Sequence, residues 1–400
     1  MGLAFWGGGD LEAGHRAYAE CMTGLRRAGH LADTFGCAIA LGDIRIAQGR
    51  LGDALRTYEQ ALKLSVRQPA SKQGGPVLRG TADMYVGMSE IYRERDDVPA
   101  ATRYLLRSQE LGEHVGLPQN PHRWRIAMAR VREAEGDLDS ALDLLDEAER
   151  RYISDFFPNV RPIPAITARM WVAQGKLGDA LDWVHERGLS VADDLSYLRE
   201  FEHITLVRVL LAQYAAEQEA RVLDEATGLL ERLLQAAEEG ARTGSVIEIL
   251  VLRALASQTQ GDSPAALASL QRALTLAEPE GYVRIFVDEG PHMASLLKAG
   301  AKHGIAPSYV HRLLTALNTT ADGAPASQGL IEPLSERELE VIRLLGTDLD
   351  GPEIARQLVV SLNTVRTHTK NIYAKLGVNN RRAAVRRAQE LDLMSRTRDR

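Results

Sequence analysis

The chain is poor in the residues from which many functional sites are built. It contains only two cysteines, Cys21 and Cys37, in 400 residues. Two thiols are no disulfide framework, so we expect both to be buried small hydrophobic residues. The ten histidines are scattered, with no H-E-x-x-H pattern and no cysteine-rich cluster, and no metal site is predicted. Signal-peptide features and apolar runs of about 18 residues are also absent, which predicts a cytoplasmic protein that does not contact a membrane.

Catalytic patterns are missing as well. No G-x-x-x-x-G-K-[ST] phosphate loop is present, and no nucleophile, base or metal set stands at motif spacing. Isolated candidates such as His185-Glu186 and Asp193-Asp194 are more typical of solvated helix ends. We therefore predict that the chain is not an enzyme and requires no cofactor.

Charge is unevenly distributed along the chain. The net charge is −6, which alone argues against a nucleic-acid-binding protein. Positions 361 to 388 nevertheless contain no acidic residue, and they carry these seven basic ones: Arg366, Lys370, Lys375, Arg381, Arg382, Arg386 and Arg387. A local positive patch of this kind is the electrostatic signature of a nucleic-acid interface.

A repeated pattern covers the first three hundred residues. A small turn, an acidic residue and an alanine recur after these positions: Gly9, Gly49, Arg95, Gly136, Gly175 and Gly261, with a weaker copy at 217–226. A period of about 40 residues with helical flanks indicates a solenoid of helix pairs. The pattern resembles the tetratricopeptide repeat in a lengthened form. We expect an elongated, curved array over residues 1–318, closed by helices at 293–303 and 307–317.

Two features of this array bear on function. Few aromatic residues could line its concave face, and core positions are the favoured interpretation for the candidates, which are Tyr85, Tyr92, Trp124, Trp171 and Trp183. The segment after the array, 319–330, is rich in small and turn-forming residues and is predicted to be a linker.

The segment Ser361 to Leu376 has the pattern of a DNA-reading helix. Ser361 is a suitable N-cap. An apolar stripe is formed by Val365, Ile372 and Leu376, whereas the opposite side carries Asn363, Arg366, Thr367 and Lys370 without any acid. Long cations and short polar groups suit guanine edges, phosphates and other base edges in the major groove.

The sequence just before this helix predicts a second helix, so that the two form one motif. Asp350 and Glu353 fit a capping box, with Pro352 in the first turn, and only Val359-Val360 separates that helix from the next. Two helices joined so tightly must cross as in a helix-turn-helix. A second capping box, Ser335 with Glu338, opens a supporting helix, and Asn380 caps a last helix at 381–393.

These motifs together resemble the LuxR-type DNA-binding domain of bacterial transcription regulators. The matching stretches are LSERELEVIRLL, EIARQL, SLNTVRTHTKNIYAKLGV and RRAAV, within a domain placed at 331–394 and followed by a tail at 395–400. The resemblance implies base contacts by Arg366, Thr367 and Lys370. It implies phosphate contacts by Ser361, Asn363, Thr364, Lys375 and Arg381. It implies pairing of two domains through Ala384, Val385, Ala388 and Leu391. Gly351-Pro352 departs from the family pattern and removes one phosphate-contacting lysine.

The segment 277–290 adds a second resemblance, to the end of the repeat array in the large ATP-binding LuxR-family activators similar to the maltose regulator. In that family a nucleotide-binding domain precedes the array, and no such pattern is found here. A fragment and a short paralogue are equally compatible with the sequence.

The sequence thus predicts an all-α bacterial transcription regulator. A tetratricopeptide-like array would sense a small-molecule or protein effector, and a dimeric helix-turn-helix domain would bind double-stranded DNA and act with RNA polymerase. The alternative is an interaction scaffold that is anchored to DNA.

Overall fold

The computed structural model describes residues 1–66, 78–112, 115–154, 157–323, 336–347, 349–358, 360–376 and 381–390. Within these ranges the protein consists of α-helices and short 3-10 turns with no strand, which confirms the all-α prediction. The chain forms two compact units, Met1–Gly323 and Ala324–Arg400, and each is described by itself.

The first unit contains seventeen helices among its described residues. The first eight are α1 (Gly2–Gly7), α2 (Leu11–Arg27), α3 (Leu31–Ala47), α4 (Leu51–Val66), α5 (Thr81–Glu94), α6 (Val98–Leu111), α7 (Asn120–Ala134) and α8 (Leu138–Arg150). The next five are α9 (Ile163–Ala173), α10 (Leu177–Glu186), α11 (Glu200–Glu217), α12 (Ala220–Glu239) and α13 (Thr243–Thr259). The last four are α14 (Ser263–Ala277), α15 (Arg284–Val287), α16 (Gly290–Lys302) and α17 (Pro307–Gly323).

The predicted repeat turns join the helices of each pair. Left-handed backbone occurs at the glycines of the regular copies, with these φ values: Gly9 86°, Gly49 75°, Gly136 79°, Gly175 73° and Gly261 79°. In the degenerate and the weak copy, Asp96 and Gln218 adopt the same conformation, with φ of 66° and 57°. A left-handed residue after a helix reverses the chain tightly. The backbone geometry therefore identifies these two copies as genuine repeats.

In part of the repeat copies the recurrent acidic residue is a helix N-cap, whereas Asp53 and Asp179 lie inside the first turn of their helices. The capping carboxylate accepts the backbone N–H three residues later in four copies, which are Asp10 to Ala13 at 3.0 Å, Asp97 to Ala100 at 3.0 Å, Asp137 to Ser140 at 3.2 Å and Asp262 to Ala265 at 3.0 Å. Such a cap satisfies one of the free N–H groups at the start of a helix. The local pattern thus encodes each turn and the helix that follows it.

The array is not elongated as expected, because it winds until its first and last parts touch. A Cβ added to Gly49 would lie 2.9 Å from the backbone nitrogen of Gly244. Farther along, the backbone N–H of Val283 donates to the carbonyl of Glu94 at 2.9 Å, and that of Ile285 donates to the Glu94 carboxylate at 2.9 Å. The segment 277–290 therefore closes the superhelix against the α5–α6 turn.

The predicted closing helices are present as α16 and α17, with different bounds. α17 continues to Gly323, so the first residues of the segment predicted as a linker are helical. The reason is local, since Thr319 to Asp322 contain no helix-breaking residue and the first proline of the segment is Pro325. The remainder of that segment, 324–330, lies outside the described residues.

The second unit contains four helices in its described part, which are α18 (Glu336–Leu345), α19 (Gly351–Gln357), α20 (Leu362–Leu376) and α21 (Arg381–Glu390). Its core is formed by fully buried aliphatic side chains from all four, including Val341, Ile354, Ile372 and Ala388. The predicted helix caps Ser335 and Asn380 lie outside the described residues.

Candidate nucleic-acid interface

The start of α19 is fixed by the predicted capping box. The N–H of Glu353 donates to the Asp350 carboxylate at 2.8 Å, and the N–H of Asp350 donates to the Glu353 carboxylate at 2.8 Å. At its other end the N–H of Val360 donates to the Ala355 carbonyl at 3.0 Å, which directs the chain toward α20. The helix-turn-helix geometry is therefore set by local hydrogen bonds.

Two hydroxyl groups lie at the start of α20. The N–H of Thr364 donates to Ser361 Oγ at 3.1 Å, as expected for an N-cap, and the hydroxyls of Ser361 and Thr364 are 2.7 Å apart. Ser361 is exposed and Thr364 is half-buried. A helix start carries partial positive charge, so hydroxyls there suit an anionic oxygen such as that of a DNA phosphate.

α20 separates an apolar face from a polar one. Val365 is 3% exposed and Ile372 is fully buried, both in the core of the domain. Arg366 and Thr367, from the predicted base-contacting set, are exposed. The other predicted positions on this helix, Asn363, Lys370 and Lys375, lie outside the described side chains, as does Leu376.

The guanidinium of Arg381, a predicted phosphate contact, is hydrogen-bonded within its own domain. It donates to the carbonyl of Leu345 at 2.9 Å and to that of Thr347 at 2.7 Å. Leu345 is the last residue of α18, where carbonyl groups lack partners within the helix, and Thr347 lies two residues beyond it. Arg381 therefore joins the start of α21 to the end of α18, and this bond pattern was not predicted.

The apolar stripe predicted to pair two domains is largely core. Ala384 and Ala388 are fully buried, and Val385 is half-buried against the same cluster. Leu391 lies outside the described residues. The physical reason is size, because a domain of four short helices has few apolar positions and uses those of α21 to cover its own interior.

Sequence reasoning missed an ionic network inside the array. Arg93 is 3% exposed, and its guanidinium contacts the carboxylates of Glu133 at 3.0 Å and Asp288 at 2.5 Å. Arg284 contacts the same Asp288 at 2.5 Å and Asp96 at 3.1 Å. The network thus links α5 and α7 to the segment that closes the superhelix.

A second part of this network is rich in positive charge. Arg169 donates to Glu248 at 2.7 Å and to Thr205 at 2.8 Å, and Arg208 contacts Glu248 at 2.9 Å. Burial lowers the pKa of Arg169 to about 9, and the nearby guanidinium groups of Arg208, Arg161 and Arg130 lower it as well. The negative charge of Glu248 raises the pKa but does not compensate for these effects. The sequence signal was available, since Arg93, Arg130, Arg169 and Arg208 recur at intervals close to the repeat length.

The aromatic candidates mostly serve packing. Trp183 and Trp171 pack in the main core of the array, and Trp124 donates its indole N–H to the Leu105 carbonyl at 2.9 Å. Tyr85 and Tyr92 both stack on Tyr104, with ring centroids 6.0 and 5.1 Å apart. The core interpretation is therefore supported for the three tryptophans.

Neither a membrane-spanning helix nor a metal-binding cluster occurs among the described residues. No helix there combines the length and apolar character needed to cross a membrane. The same part of the chain holds no group of three or more His, Cys, Asp or Glu side chains placed to bind a metal ion.

A solenoid of helix pairs followed by a helix-turn-helix whose second helix exposes Arg366 and Thr367 is the architecture of a modular transcription regulator. Comparison with known proteins agrees. Residues 1–303 match the family described as "MalT-like TPR region", and residues 332–388 match "Bacterial regulatory proteins, luxR family". The chain belongs to the MalT-like family through its array, and its C-terminal domain is a luxR-family helix-turn-helix.

Two curated relatives show the extent of the similarity. The HTH-type transcriptional regulator MalT of Serratia proteamaculans is 27% identical over 379 residues, which is 87% of this chain and 40% of the relative. The protein of the same description from Klebsiella pneumoniae is 27% identical over 306 residues, which is 68% of this chain and 32% of the relative. The chain therefore spans less than half the length of these relatives.

Proposed function

We propose that the chain is a DNA-binding transcription regulator that reads the major groove with α20. The observation that carries this proposal is the placement of Arg366 and Thr367 on the exposed face of α20, while Val365 and Ile372 lie in the core. The exposed Ser361 caps the helix start next to that face. Arginine contacts guanine in a bidentate manner, and a capped helix start accepts phosphate oxygens.

The test begins with selection of bound sites from random duplex DNA by the full chain. Arg366→Ala and Lys375→Ala are then compared on the selected duplex and on a scrambled one. Arg366→Ala should lose about 1–3 kcal/mol on the selected duplex only. Lys375→Ala should weaken both duplexes alike and reduce the salt dependence. Equal losses on both duplexes for Arg366→Ala would assign it to phosphate and contradict base reading.

The array is proposed to sense an effector through its arginine-rich interior. Arg161 supports this proposal, because it is exposed yet its charge acts on both Arg130 and Arg169, and it lies 5.8 Å from the Phe201 ring centroid. The charge of an exposed arginine beside further cations suits an anionic group on a ligand.

A thermal-shift screen of anionic metabolites tests this sensing role. A true effector should raise the melting temperature of the wild type and should do so much less for Arg161→Gln. Arg103→Gln is the matched control, because Arg103 lies over the Tyr104 ring at 5.6 Å and belongs to another part of the array. Equal shifts for both variants would place the ligand elsewhere.

The alternative, a scaffold anchored to DNA, is supported by one observation. A groove of about 510 Å³ on α6 is lined by Val98, Pro99 and Leu106 between Arg103 and Arg107, and Leu106 is 48% exposed. An exposed leucine within such a groove suits a protein partner.

In either case we propose a cytoplasmic protein that occupies DNA as a homodimer and acts with RNA polymerase. If Leu106→Asp abolishes binding of a partner protein but leaves DNA binding unchanged, the scaffold function is favoured.

A further inference from the structure

The only two cysteines of the chain face each other across one helix hairpin. α2 carries Cys21 and α3 carries Cys37, and the turn between the two helices contains Gly29, with φ of 80°. Cys21 precedes Gly29 by the same number of residues as Cys37 follows it. In two antiparallel helices, positions at equal distances from the turn lie opposite each other.

The contacts farther from the turn confirm this register. Gln48 donates to the Glu12 carboxylate at 3.1 Å, and Arg45 contacts the same carboxylate at 3.4 Å. Moving from these pairs toward the turn brings Cys21 opposite Cys37. Besides burial, Cys21 is one of the groups that raise the pKa of Cys37, so the two thiols lie near each other. Thiols at the same level of two packed helices can be joined by a disulfide when their Cβ atoms come within about 4.5 Å.

The two thiols are placed in unequal environments. Cys21 is exposed, contrary to the sequence expectation, whereas Cys37 is 7% exposed. Burial, the neighbouring Cys21 and Asp33 raise the pKa of Cys37 to about 12. A dissolved oxidant therefore reaches Cys21 first, and Cys37 can react only with its neighbour.

We propose that Cys21 and Cys37 form a reversible redox modification site, in which a hydroperoxide converts the two thiols into a disulfide. The Cys21 sulfur attacks the terminal peroxide oxygen, the O–O bond breaks, and the alcohol or water leaves with the thiol proton. Cys21 is then a sulfenic acid. Cys37 attacks its sulfur, the S–S bond forms as the S–O bond breaks, and the Cys37 proton leaves with the hydroxyl as water. Two electrons pass from the two sulfurs to the peroxide.

The bond would join two neighbouring helix pairs of the array. α3 packs through Ala40 and Ile44 against Trp6 and Leu11, and it ends beside Gly49, where the superhelix closes. A cross-link between α2 and α3 restricts the unfolded chain and stabilises the folded one. Oxidation should therefore stabilise this end of the array, independently of what the array senses.

The test treats the full chain with hydrogen peroxide and then alkylates the remaining thiols under denaturing conditions. Mass spectrometry should show the loss of two hydrogens, and a digest made without reductant should contain a peptide that links Cys21 to Cys37. The melting temperature of the array should rise by several degrees and return with dithiothreitol.

Single variants separate the two roles. Cys37→Ser should stop at a Cys21 sulfenic acid, which dimedone traps, and Cys21→Ser should leave Cys37 unreacted at the same peroxide dose. Because Cys37 is buried, Cys37→Ala is measured as well, and circular dichroism verifies that each variant is folded. Oxidation of wild-type Cys21 to sulfinic acid, or its cross-linking between two chains, with Cys37 still alkylatable would overturn the proposal.

Discussion

Glu280 caps a helix that lies 228 residues earlier in the sequence, since its carboxylate accepts the backbone N–H of Gly52 at 2.7 Å. Gly52 belongs to the first turn of α4, where N–H groups have no partner within the helix. Arg95 donates to the carbonyl of the same Glu280 at 3.2 Å. The last part of the array therefore completes the second helix pair, and closure of the superhelix contributes to its stability.

Removing this long-range cap should destabilise the array. Glu280→Ala is expected to lower the free energy of unfolding by about 1–2 kcal/mol, the usual contribution of an N-terminal cap. Urea denaturation followed by circular dichroism measures the change. Glu278→Ala is the matched control, because Glu278 lies in the same 3-10 turn and is exposed. Equal effects of both substitutions would show that the Gly52 contact has no energetic role.

The interior network makes a prediction about pH. Burial tends to raise the pKa of Glu248, but the charges of Arg169 and Arg208 outweigh it and lower the pKa to about 2 from an ordinary 4.5. A carboxyl group with a lowered folded-state pKa stabilises the fold above pH 4.5 and loses this contribution as the pH falls toward 2. Wild type and Glu248→Gln should therefore differ by on the order of 2–3 kcal/mol at pH 7 and converge in acid.

The difference between the two proteins is the quantity to measure, by urea denaturation at each pH. Burial raises the pKa values of Glu94 and Glu289, so these groups affect the pH dependence of stability in the direction opposite to Glu248. Both proteins contain them, and their effect cancels in the difference. Glu147→Gln is the control, because Glu147 is half exposed in its ion pair with Arg125. A Glu248→Gln difference that stays constant from pH 7 to pH 3 would show that the folded state does not lower the pKa of Glu248.

Sequence alone predicted the helix pairs because their signals are local. A turn residue and an N-cap aspartate such as Asp137 lie next to the helix that they start, so the pattern is readable in a short window. Closure is not local, since it depends on small rotations that accumulate over successive pairs. Nothing in the residues around Gly49 or Gly244 identifies them as contact partners, and the expectation of an elongated array was therefore wrong.

Arg381 provides a test that separates a structural role from DNA contact. Because its guanidinium bonds the carbonyls of Leu345 and Thr347, Arg381→Ala should destabilise the C-terminal domain by about 1–3 kcal/mol. Arg381→Lys keeps the charge but cannot reproduce both bonds, so it should recover only part of the loss. Thermal unfolding of the domain is measured together with binding to duplex DNA. Weaker DNA binding without any loss of domain stability would restore the predicted phosphate contact as the main role.

The capping hydrogen bonds of the helix-turn-helix could be predicted from the sequence. Whether the apolar side of the last helix packs in the core or against a second domain could not. Asp350 and Glu353 form the expected capping box because both partners are close in sequence. The apolar stripe of α21 looks the same whether it faces a partner or the domain's own core. Only the packing of Ala384 and Ala388 against residues such as Val341 decides between these uses.

Pairing of two DNA-bound domains through α21 stays a prediction, and Val385 is the half-buried member of the predicted stripe. Val385→Ala should cost less than about 1 kcal/mol of domain stability, since only part of the side chain is in the core. Val341→Ala is the same truncation at a fully buried position and should cost about 1–3 kcal/mol. If the outer side of Val385 meets a second domain about a two-fold axis, Val385→Ala should also reduce cooperative occupancy of an inverted-repeat duplex while leaving single half-site binding intact. Band-shift titrations on one and two half-sites measure this. Unchanged cooperativity with a stability loss equal to that of Val341→Ala would show that Val385 serves the core alone and that any dimer forms elsewhere.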